Sequence, residues 1–441
     1  MKVLLINPKN TAWSSGTSTL PLGLAYIAST LMADNHEVDC VDMQLEPAAD
    51  VQKMIRAHDI VGITACTPSI KEAWELARLA RAENKTVVLG GPHVTALPGE
   101  SLENGRSDLV VRGEGEITMK ELCAGTEPGA IAGLSYRSGG EVFHNPPRPA
   151  VRTLDGLAFP AREKFKYKNY RSGFHKKTLV GSILTSRGCP FDCNFCNNLV
   201  FGRIYRTRSP ENVVEEWALM AAQGFEEISV TDDNFTADPG RVLDICGALT
   251  AKGLNLPWTA SGGLRVDMVS EEMLSAMKRS GCYRVSLGAE SGSQRILDTI
   301  GKGIRVQQIR DAVKLSKKAG LETIVFFMVG NPGETSEDVR MTIDLARELS
   351  PDFVQVTVAV PYPGTRLYET IKKNGRFIVD DWAEYGSYAG KAYFEYGTIN
   401  GSFVEKMYKK IYRDYYLRPG VILKLLARYN FRLLKFLKLF Y

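Results

Sequence analysis

Two consecutive series of alternating strand-like and helix-like segments constrain the fold of this chain most strongly. In the first series, residues 1 to about 125, short apolar or alternating runs are separated by stretches with helical spacing of apolar residues. Strands that are joined through helices pair in parallel, so this region predicts an α/β, doubly wound, Rossmann-like sheet. The strand-like runs are KVLLINP, HEVDCVDM, DIVGITAC, TVVLGGPH and DLVVRGEGE, and the helix-like runs are LGLAYIASTLMADN and IKEAWELARLARAEN.

The second series, from about 177 to 365, repeats a strand–helix unit six times. Six parallel units predict a partial (β/α)6 barrel whose chemistry lies at the carboxyl ends of its strands. One helix start is readable, because Ser209-Pro210-Glu211 provides a cap, a proline at the first helical position and an early acid. The six strand-like runs are TLVGSILTS, EEISVTDD, LPWTASGG, CYRVSLGAES, LETIVFFMVG and DFVQVTVAVP.

Between the two series, from about 126 to 176, strand-like and helix-like runs no longer alternate, and glycine, proline and mixed charges are frequent. With 441 residues, 44% of them hydrophobic, the chain is long enough for two or three well-filled cores. We therefore expect four parts. They are a ligand-binding Rossmann-like domain at 1–145, a linker at 146–176, the partial barrel at 177–370, and an extension at 371–441 with a basic amphipathic helix.

The positive charge of the chain is concentrated at its C-terminal end. The net charge is +5, but residues 418–441 hold six basic residues and no acid, so the remainder carries −1. Because the rest of the chain carries no excess of positive charge, we do not expect a nucleic-acid partner. The tail, VILKLLARYNFRLLKFLKLFY, predicts a membrane-surface helix, a dock for a large partner, or a terminal helix packed on the barrel. Its basic residues are Arg418, Lys424, Arg428, Arg432, Lys435 and Lys438.

The N-terminal run MKVLLINPKN breaks at Asn7-Pro8 without the apolar region of a leader, which predicts a cytoplasmic protein, with peripheral membrane contact through 418–441 left open. Eight cysteines are too few for a disulfide framework, so we expect reduced thiols. Five of them occur within strand-like or helix-like runs and are predicted to be buried core thiols. These are Cys40, Cys66, Cys123, Cys246 and Cys282.

The other three cysteines lie together in SRGCPFDCNFCNN, residues 186–198, just after the first strand of the second series. Cys189, Cys193 and Cys196 supply three ligands where a structural zinc site needs four. A four-iron cluster held by three thiolates keeps one iron open, and that iron can bind a small molecule. Zinc completed by a distant fourth ligand stays open as the alternative.

RGCPFDCNFC resembles the cluster loop of the radical S-adenosylmethionine (SAM) enzymes, and the strands that follow match that family in order. The resemblance implies that Cys189, Cys193 and Cys196 hold a [4Fe-4S] cluster. It also implies that SAM chelates the open iron through its amino and carboxylate groups. An electron, from a donor such as ferredoxin or flavodoxin, then cleaves SAM to methionine and the 5′-deoxyadenosyl radical.

The same resemblance implies which residues meet SAM. Simpler interpretations stay open for three of these positions: an Asx turn for DDNFT, a helix cap for Glu290, and a solvated surface cation for Lys302. The implied contacts are Phe195 and Gly330 near the adenine, Asp232, Asp233 and Asn234 near the amino group, Glu290 and Ser291 near the ribose, and Lys302 near the carboxylate.

The N-terminal series, with LPLGLAYIAS, TACTPS, GGPHVTALPGE and VVRGEGE, resembles the cobalamin-binding branch of that family, in which a corrinoid lies between this domain and the barrel. The Asp-x-His-x-x-Gly loop of many cobalamin domains is missing, so we expect no histidine on cobalt. A domain that no longer binds a corrinoid stays open. The expected contacts are Thr64, Thr67, Ser69, Gly90, Gly91, His93, Gly113 and Glu114.

This branch implies a C-methyltransferase. A methyl group from one SAM passes through methylcobalamin to an unactivated carbon, which has become a radical through hydrogen abstraction by the 5′-deoxyadenosyl radical of a second SAM. The substrate is expected to be a small molecule, such as a natural-product intermediate, or a peptide or protein residue, and Tyr362 in VPYPGT is a candidate contact. A cobalamin-assisted cyclase or rearrangement enzyme without methyl transfer is one alternative. A non-catalytic corrinoid or iron–sulfur carrier is the other.

Overall fold

The computed structural model describes residues 1–10, 19–47, 49–103, 107–170 and 175–429. Its N-terminal part is a seven-stranded sheet with the order β2-β1-β3-β4-β5-β6-β7. The elements are β1 (Lys2–Asn7), α1 (Leu22–Ala33), β2 (Glu37–Asp42), α2 (Val51–Arg56), β3 (Ile60–Thr64), α3 (Ile70–Ala82), β4 (Thr86–Gly90), α4 (Pro92–Ala96), α5 (Pro98–Glu103), β5 (Leu109–Val111), α6 (Glu116–Cys123), β6 (Leu134–Ser138) and β7 (Glu141–His144).

Strands β1 to β5 pair in parallel, which confirms the doubly wound sheet. The hairpin β6–β7 was not predicted, and it extends the sheet in the antiparallel sense. It turns through Gly139 and Gly140, both with positive φ, as a two-residue hairpin turn requires. Because β7 is largely exposed at the edge, its sequence lacks the apolar alternation that would have revealed a strand.

The second part is an open six-stranded parallel sheet with the order β15-β14-β13-β12-β11-β8, which confirms the partial barrel. The predicted helix start is present, because the Ser209 hydroxyl accepts a hydrogen bond from the Asn212 amide at 3.2 Å. The elements are β8 (Val180–Ile183), β9 (Ser186–Arg187), β10 (Arg206–Thr207), α7 (Pro210–Ala222), β11 (Glu227–Val230), α8 (Pro239–Ala251), β12 (Trp258–Arg265), α9 (Glu271–Arg279), β13 (Cys282–Glu290), α10 (Gln294–Thr299), α11 (Val306–Lys318), β14 (Glu322–Val329), α12 (Ser336–Leu349), β15 (Phe353–Val358) and α13 (Arg366–Asn374).

The extension closes one edge of the barrel sheet. Its elements are β16 (Arg376–Phe377), β17 (Phe394–Glu395), α14 (Gly401–Tyr416) and α15 (Pro419–Tyr429). The hydroxyl of Tyr416 accepts from the Val354 amide at 2.9 Å and donates to its carbonyl at 2.7 Å. Tyr412 makes the same pair of bonds with Val356. Two phenols thus satisfy edge groups of β15 that another strand would otherwise pair with.

The first part of the basic tail packs on the barrel. Val421 and Leu425 of α15 are buried, and the Lys424 ammonium pairs with Asp352 at 3.0 Å. The packed-helix interpretation therefore holds for this stretch, while residues 430–441, with Arg432, Lys435 and Lys438, lie outside the described residues. Among the residues the structure describes, no helix is long and apolar enough to cross a membrane.

A buried charge cluster attaches the linker to the barrel. Glu216 on α7 has no solvent exposure and pairs with both Arg162 of the linker and Arg208. The two guanidinium groups also donate to backbone carbonyls, Arg162 to Ser182 at 2.7 Å and Arg208 to Leu184 at 2.9 Å. Since both carbonyls belong to the β8 segment, the cluster fixes the position of the strand that leads into the cysteine loop.

Replacing Glu216 by glutamine removes the one negative charge that these two buried guanidinium groups share. Because loss of one partner leaves buried charge uncompensated, we expect the free energy of unfolding to fall by about 3–5 kcal/mol. Urea denaturation followed by tryptophan fluorescence measures it, since Trp217 lies on the same helix. The matched control is Glu337→Gln, which breaks an exposed pair with Arg340 and should leave stability unchanged. Equal stability of the two variants would contradict this role for Glu216.

Candidate functional site

The cysteine loop begins and ends at the short ribbon of β9 and β10, and its backbone is held from several sides. Gly188 has φ +82°, and a Cβ there would lie 2.4 Å from the Ile204 carbonyl oxygen, so only glycine fits. The Cys189 amide donates to the Gly202 carbonyl at 3.3 Å, and the Asn194 amide donates to the Ile300 carbonyl at 2.8 Å. The loop conformation is therefore defined by the protein itself.

The three thiols of this loop lie within electrostatic range of one another. Burial, followed by the charges of Cys193 and Cys189, raises the pKa of the Cys196 thiol to about 12. Burial also raises the pKa of Cys193. Three thiolates leave a structural zinc ion one protein ligand short, whereas a four-iron cluster takes each of the three on a separate iron, so this donor set fits a cluster.

Two cations lie beside the loop. Lys302 is buried and its ammonium donates to Glu290 at 2.8 Å, so the surface-cation interpretation of Lys302 is wrong. Gly288 makes room for this pair, because a Cβ at that position would lie 2.8 Å from the Lys302 Nζ. Arg265, at the end of β12, packs 3.5 Å from the centroid of the Phe191 ring. Its Nη1 is buried without a hydrogen-bond partner, which leaves a donor for an anionic ligand.

The segment after β11 supports the cysteine loop from one side. Asp232 is buried and accepts from the Thr185 amide and hydroxyl, both at 2.6 Å. Asp233 accepts from the Gly188 amide at 3.1 Å. The Asn234 amide nitrogen donates to the Cys189 sulfur at 3.9 Å, while its Oδ1 is buried without a partner. The aspartates are thus engaged by the protein, and Asn234 keeps an acceptor available for a ligand.

The remaining predicted SAM contacts occupy different environments. Glu290 has φ +63°, a conformation that glycine adopts more readily. Ser291 is fully buried, and its hydroxyl lies 3.2 Å from that of Thr342. Phe195 is half-buried against the barrel core. Gly330 has φ +88°, and its amide donates to the buried Glu334 at 2.6 Å.

Glu334 was not predicted. Burial raises the pKa of this carboxyl to about 8. It also accepts from the Asn331 amide at 3.2 Å, so it closes the turn after β14.

Tyr362 lies at the same end of the barrel as the cysteine loop. It is half-buried, and its hydroxyl lies 3.4 Å from that of Ser387 in the extension. The side-chain amide of Asn197 donates to the Pro363 carbonyl at 2.8 Å, which joins the cysteine loop to the loop after β15. The substrate-contact candidate is thus brought next to the cysteine loop, although 166 residues separate Asn197 from Pro363.

A narrow cavity of about 110 Å³ lies between the first sheet, helices α1 and α6, and the barrel side of the molecule. Gly90 faces it with nothing within 4 Å of an added Cβ. The predicted corrinoid contacts that line the cavity are Thr64, Gly90, Gly91, Gly113 and Glu114. The barrel side contributes Leu184, Arg187, Val200 and Phe201, the last three of which flank or belong to the cysteine-loop region.

Three predicted corrinoid contacts do not line this cavity. Thr67, Ser69 and His93 are buried beneath the loops that follow β3 and β4. The two ring nitrogens of His93 lie 3.1 Å from the Thr67 hydroxyl and 3.1 Å from the Glu100 carboxylate. Since both nitrogens are engaged within the protein, His93 has none available for a metal in this conformation.

One expectation about the remaining cysteines is wrong. Cys123, Cys246 and Cys282 are buried as predicted, whereas Cys40 is half-buried and Cys66 is exposed. Cys66 lies two residues after the end of β3, directly before a short 3-10 helix. Its position at the carboxyl edge of the sheet, rather than within the strand, accounts for the exposure.

Sequence reasoning missed a buried ion cluster that joins the loop and helix after β5 to the β9–β10 ribbon. Arg187, directly before Gly188, donates to Glu114 at 2.6 Å and to Glu116 at 2.7 Å. Arg206 on β10 donates to Glu114 at 2.7 Å. All four side chains are at most 5% exposed. Their separation in sequence hid the pairing, and the only sequence signal was the unusual run RGEGE after β5.

Comparison with known proteins agrees with this geometry. Residues 183–346 match the radical SAM superfamily model, and residues 11–123 match the B12 binding domain model. A protein of Pyrococcus horikoshii named as an uncharacterized methyltransferase is 40% identical over 96% of this chain and 94% of its own. The anaerobic magnesium-protoporphyrin IX monomethyl ester cyclase of Rubrivivax gelatinosus is 29% identical over 84% of this chain and 70% of its own.

Among solved structures, the fold is similar to that of the radical SAM methyltransferase TsrM from Kitasatospora setae with cobalamin and a [4Fe-4S] cluster bound. The TM-score is 0.73 at 18% identity, covering 95% of this chain and 89% of that one. The two domain matches, together with the 40% identity over nearly the full length of a relative, confirm the expected family. The chain belongs to the radical SAM superfamily, in the branch that carries a B12-binding domain.

Proposed function

We propose that this protein is a cobalamin-dependent radical SAM C-methyltransferase, which moves a methyl group from SAM through cobalamin to an unactivated carbon. The observation that carries the proposal is the shared wall of the two sites. Arg187, Val200 and Phe201 line the interdomain cavity, and the three cluster cysteines lie between the first and second of them in sequence. The full-length relationship to a protein named as a methyltransferase supports the same assignment.

When bound, the cluster and SAM supply a radical by one-electron cleavage, and the corrinoid supplies a transferable methyl group. The chain's own contribution is positioning. Cys189, Cys193 and Cys196 would hold the cluster, on a loop fixed by Gly188 and Asn194. Positioning of reactants at short range is the main way in which a protein accelerates steps whose chemistry belongs to its cofactors.

Around this loop, the unsatisfied polar atoms fit the zwitterionic end of SAM. Arg265 offers a buried guanidinium nitrogen to a carboxylate, and Asn234 offers a buried carbonyl oxygen to an ammonium group. Lys302 adds positive charge nearby, balanced by Glu290. We therefore assign Asn234, Arg265 and Lys302 to SAM binding. Phe195, Glu290 and Gly330 keep their expected positions at the ribose and adenine, and Asp232, Asp233 and Ser291 support the site through their own hydrogen bonds.

The interdomain cavity fits part of a corrinoid. Its walls are mostly apolar, with Leu5, Leu24, Val88 and Met119 among them, and glycines at several positions keep it open. A flat, apolar ring at one end of the corrinoid would fit this narrow cavity. The corrin macrocycle is larger than the cavity and would lie at the open carboxyl edge of the sheet. Gly90 and Gly91 allow the close approach that this requires. We therefore place Thr64, Gly90, Gly91, Gly113 and Glu114 at the corrinoid.

The substrate would be a small molecule, or a peptide or protein residue, held near Tyr362. The electron would come from a one-electron donor such as ferredoxin or flavodoxin. The cysteine loop reaches open surface at Asp192, which pairs with Arg203 and Arg366, both more than half exposed. A cytoplasmic location is part of the proposal, because so few cysteines do not form a disulfide framework and a reducing compartment suits an iron–sulfur protein.

Removal of the three cluster thiols should abolish iron binding. After anaerobic reconstitution with iron and sulfide, we expect about four iron atoms per chain in the wild type, and a triple Cys189→Ala, Cys193→Ala, Cys196→Ala variant should retain almost none. Iron analysis and the visible absorption of the cluster measure this. Cys246→Ala, which removes a buried thiol of the barrel core, is the control and should bind iron normally. Iron retained by the triple variant would disprove the ligand assignment.

A bulky side chain at Gly90 should block the corrinoid without unfolding the protein. An added Cβ there meets nothing within 4 Å, so a side chain can start at this position, and Gly90→Phe places a ring at the cavity wall. We expect hydroxocobalamin affinity to fall at least about tenfold, because each 1.4 kcal/mol of lost contact is a factor of ten. Gly90→Ala, with a side chain too small to fill the cavity, is the control. Equal cobalt retention by both variants, measured after desalting, would place the corrinoid elsewhere.

Methyl transfer can be tested before the substrate is known. The loaded enzyme, with a low-potential reductant and SAM labelled in its methyl group, should form about one S-adenosylhomocysteine per cobalamin, and the label should stay with the corrinoid. The Gly90→Phe variant should lose this product yet still form 5′-deoxyadenosine, which only the cysteine variant loses. Retained cobalt without label transfer would favour the cyclase alternative, which the similarity to a magnesium-protoporphyrin cyclase supports.

A further inference from the structure

The buried ion cluster of Arg187, Glu114, Glu116 and Arg206, here called the Arg187 clamp, is a contact between two cofactor sites as well as between two domains. Arg187 is two residues before Cys189, whereas Glu114 and Glu116 belong to the loop and helix that follow β5. The Arg187 guanidinium also lies between two aromatic rings, 4.9 Å from the centroid of Tyr26 and 5.0 Å from that of Phe201. Cation–π contacts of this kind strengthen when they are shielded from water.

The same side chains line the interdomain cavity. Tyr26, Glu114, Glu116, Arg187 and Phe201 are all part of its wall. An occupant of the cavity therefore touches the clamp from both of its sides, the glutamates after β5 and the arginine on the ribbon.

A displacement of Arg187 would also displace Cys189, the first cysteine of the loop. Only Gly188 separates the two residues. Its amide donates to Asp233 at 3.1 Å, and the Ile204 carbonyl lies so close that no Cβ would fit there. The ribbon partner Arg206 is held by the same Glu114 and by the carbonyls of Val151 and Phe201, each at 2.7 Å. The start of the cysteine loop is thus rigidly joined to the cavity wall.

We propose that Arg187 is a positioning residue that couples corrinoid binding to retention of the iron–sulfur cluster, a role that rests on the proposed function. Corrinoid in the cavity fixes the clamp, and the clamp fixes the loop that holds the three thiolates. The coupling is reciprocal, so the assembled cluster strengthens corrinoid binding by the same factor.

The test uses the full chain, loaded anaerobically with its cluster, and measures iron loss to a chelator with and without saturating hydroxocobalamin. In the wild type, hydroxocobalamin should slow iron loss roughly tenfold, within the usual range of coupling between sites. Arg187→Gln removes the positive charge that pairs with Glu114 and Glu116. In this variant hydroxocobalamin should still bind but should change the rate of iron loss by less than about twofold. Glu116→Gln, which weakens only one contact, should give an intermediate value.

The control variant is Glu322→Gln, which disturbs another largely buried pair, with Arg284, at the amino ends of β13 and β14. It should keep the full effect of hydroxocobalamin. A second measurement, hydroxocobalamin affinity, should fall roughly tenfold in wild-type protein without its cluster and stay unchanged in Arg187→Gln when the cluster is removed.

Two results would overturn the inference. One is an iron-loss rate in the wild type that hydroxocobalamin does not change. The other is full slowing in both Arg187→Gln and Glu116→Gln, which would mean that the corrinoid simply shields the cluster. If Arg187→Gln does not fold, Glu116→Gln alone tests the inference. Iron loss that hydroxocobalamin slows as much in Glu116→Gln as in the wild type would then contradict it. Failure of the wild type to bind hydroxocobalamin at all is a different outcome, since it removes the proposed function and this inference with it.

Discussion

Two carboxylates that follow β5 of the first sheet, Glu114 and Glu116, meet the guanidinium of Arg187 on the β9–β10 ribbon in a space that water does not reach. Removing such charges from water is costly, and only complete pairing compensates for it. The pairing is complete only when the segment after β5 and the ribbon meet in one arrangement. The interdomain cavity and the start of the cysteine loop both depend on this arrangement.

Features that depend on local sequence were predictable. The alternation of apolar runs and helical periods indicated both parallel sheets, and the spacing of Cys189, Cys193 and Cys196 indicated the cluster loop. The clamp was not predictable, because Arg187 is separated from Glu116 and Glu114 by 71 and 73 residues, and the run RGEGE does not say which cation its carboxylates meet. Arg265 was missed for a similar reason, since its role depends on Phe191 and on a buried nitrogen that lacks a partner.

The polar residues around the cysteine loop divide into two groups by their hydrogen bonding. Asp232 and Ser291 are occupied with protein partners, so they hold strands and helices in place around the site. Asn234 and Arg265 keep buried polar atoms that the protein does not satisfy. Buried polar atoms without partners are rare in folded proteins, so these atoms indicate where a ligand completes the structure. A sequence motif cannot distinguish the two groups, because both contain ordinary polar residues at strand ends.

The phenols of Tyr412 and Tyr416 have a consequence for how this protein meets other chains. An unpaired edge strand is a template onto which a second copy or an unfolded segment can add. Along β15, the groups of Val354 and Val356 that would receive such a strand are already bonded to α14. The C-terminal extension therefore belongs to the folding unit of the barrel. A chain cut before α14 would expose a row of backbone donors and acceptors, and its hazard would be aggregation rather than the loss of any cofactor.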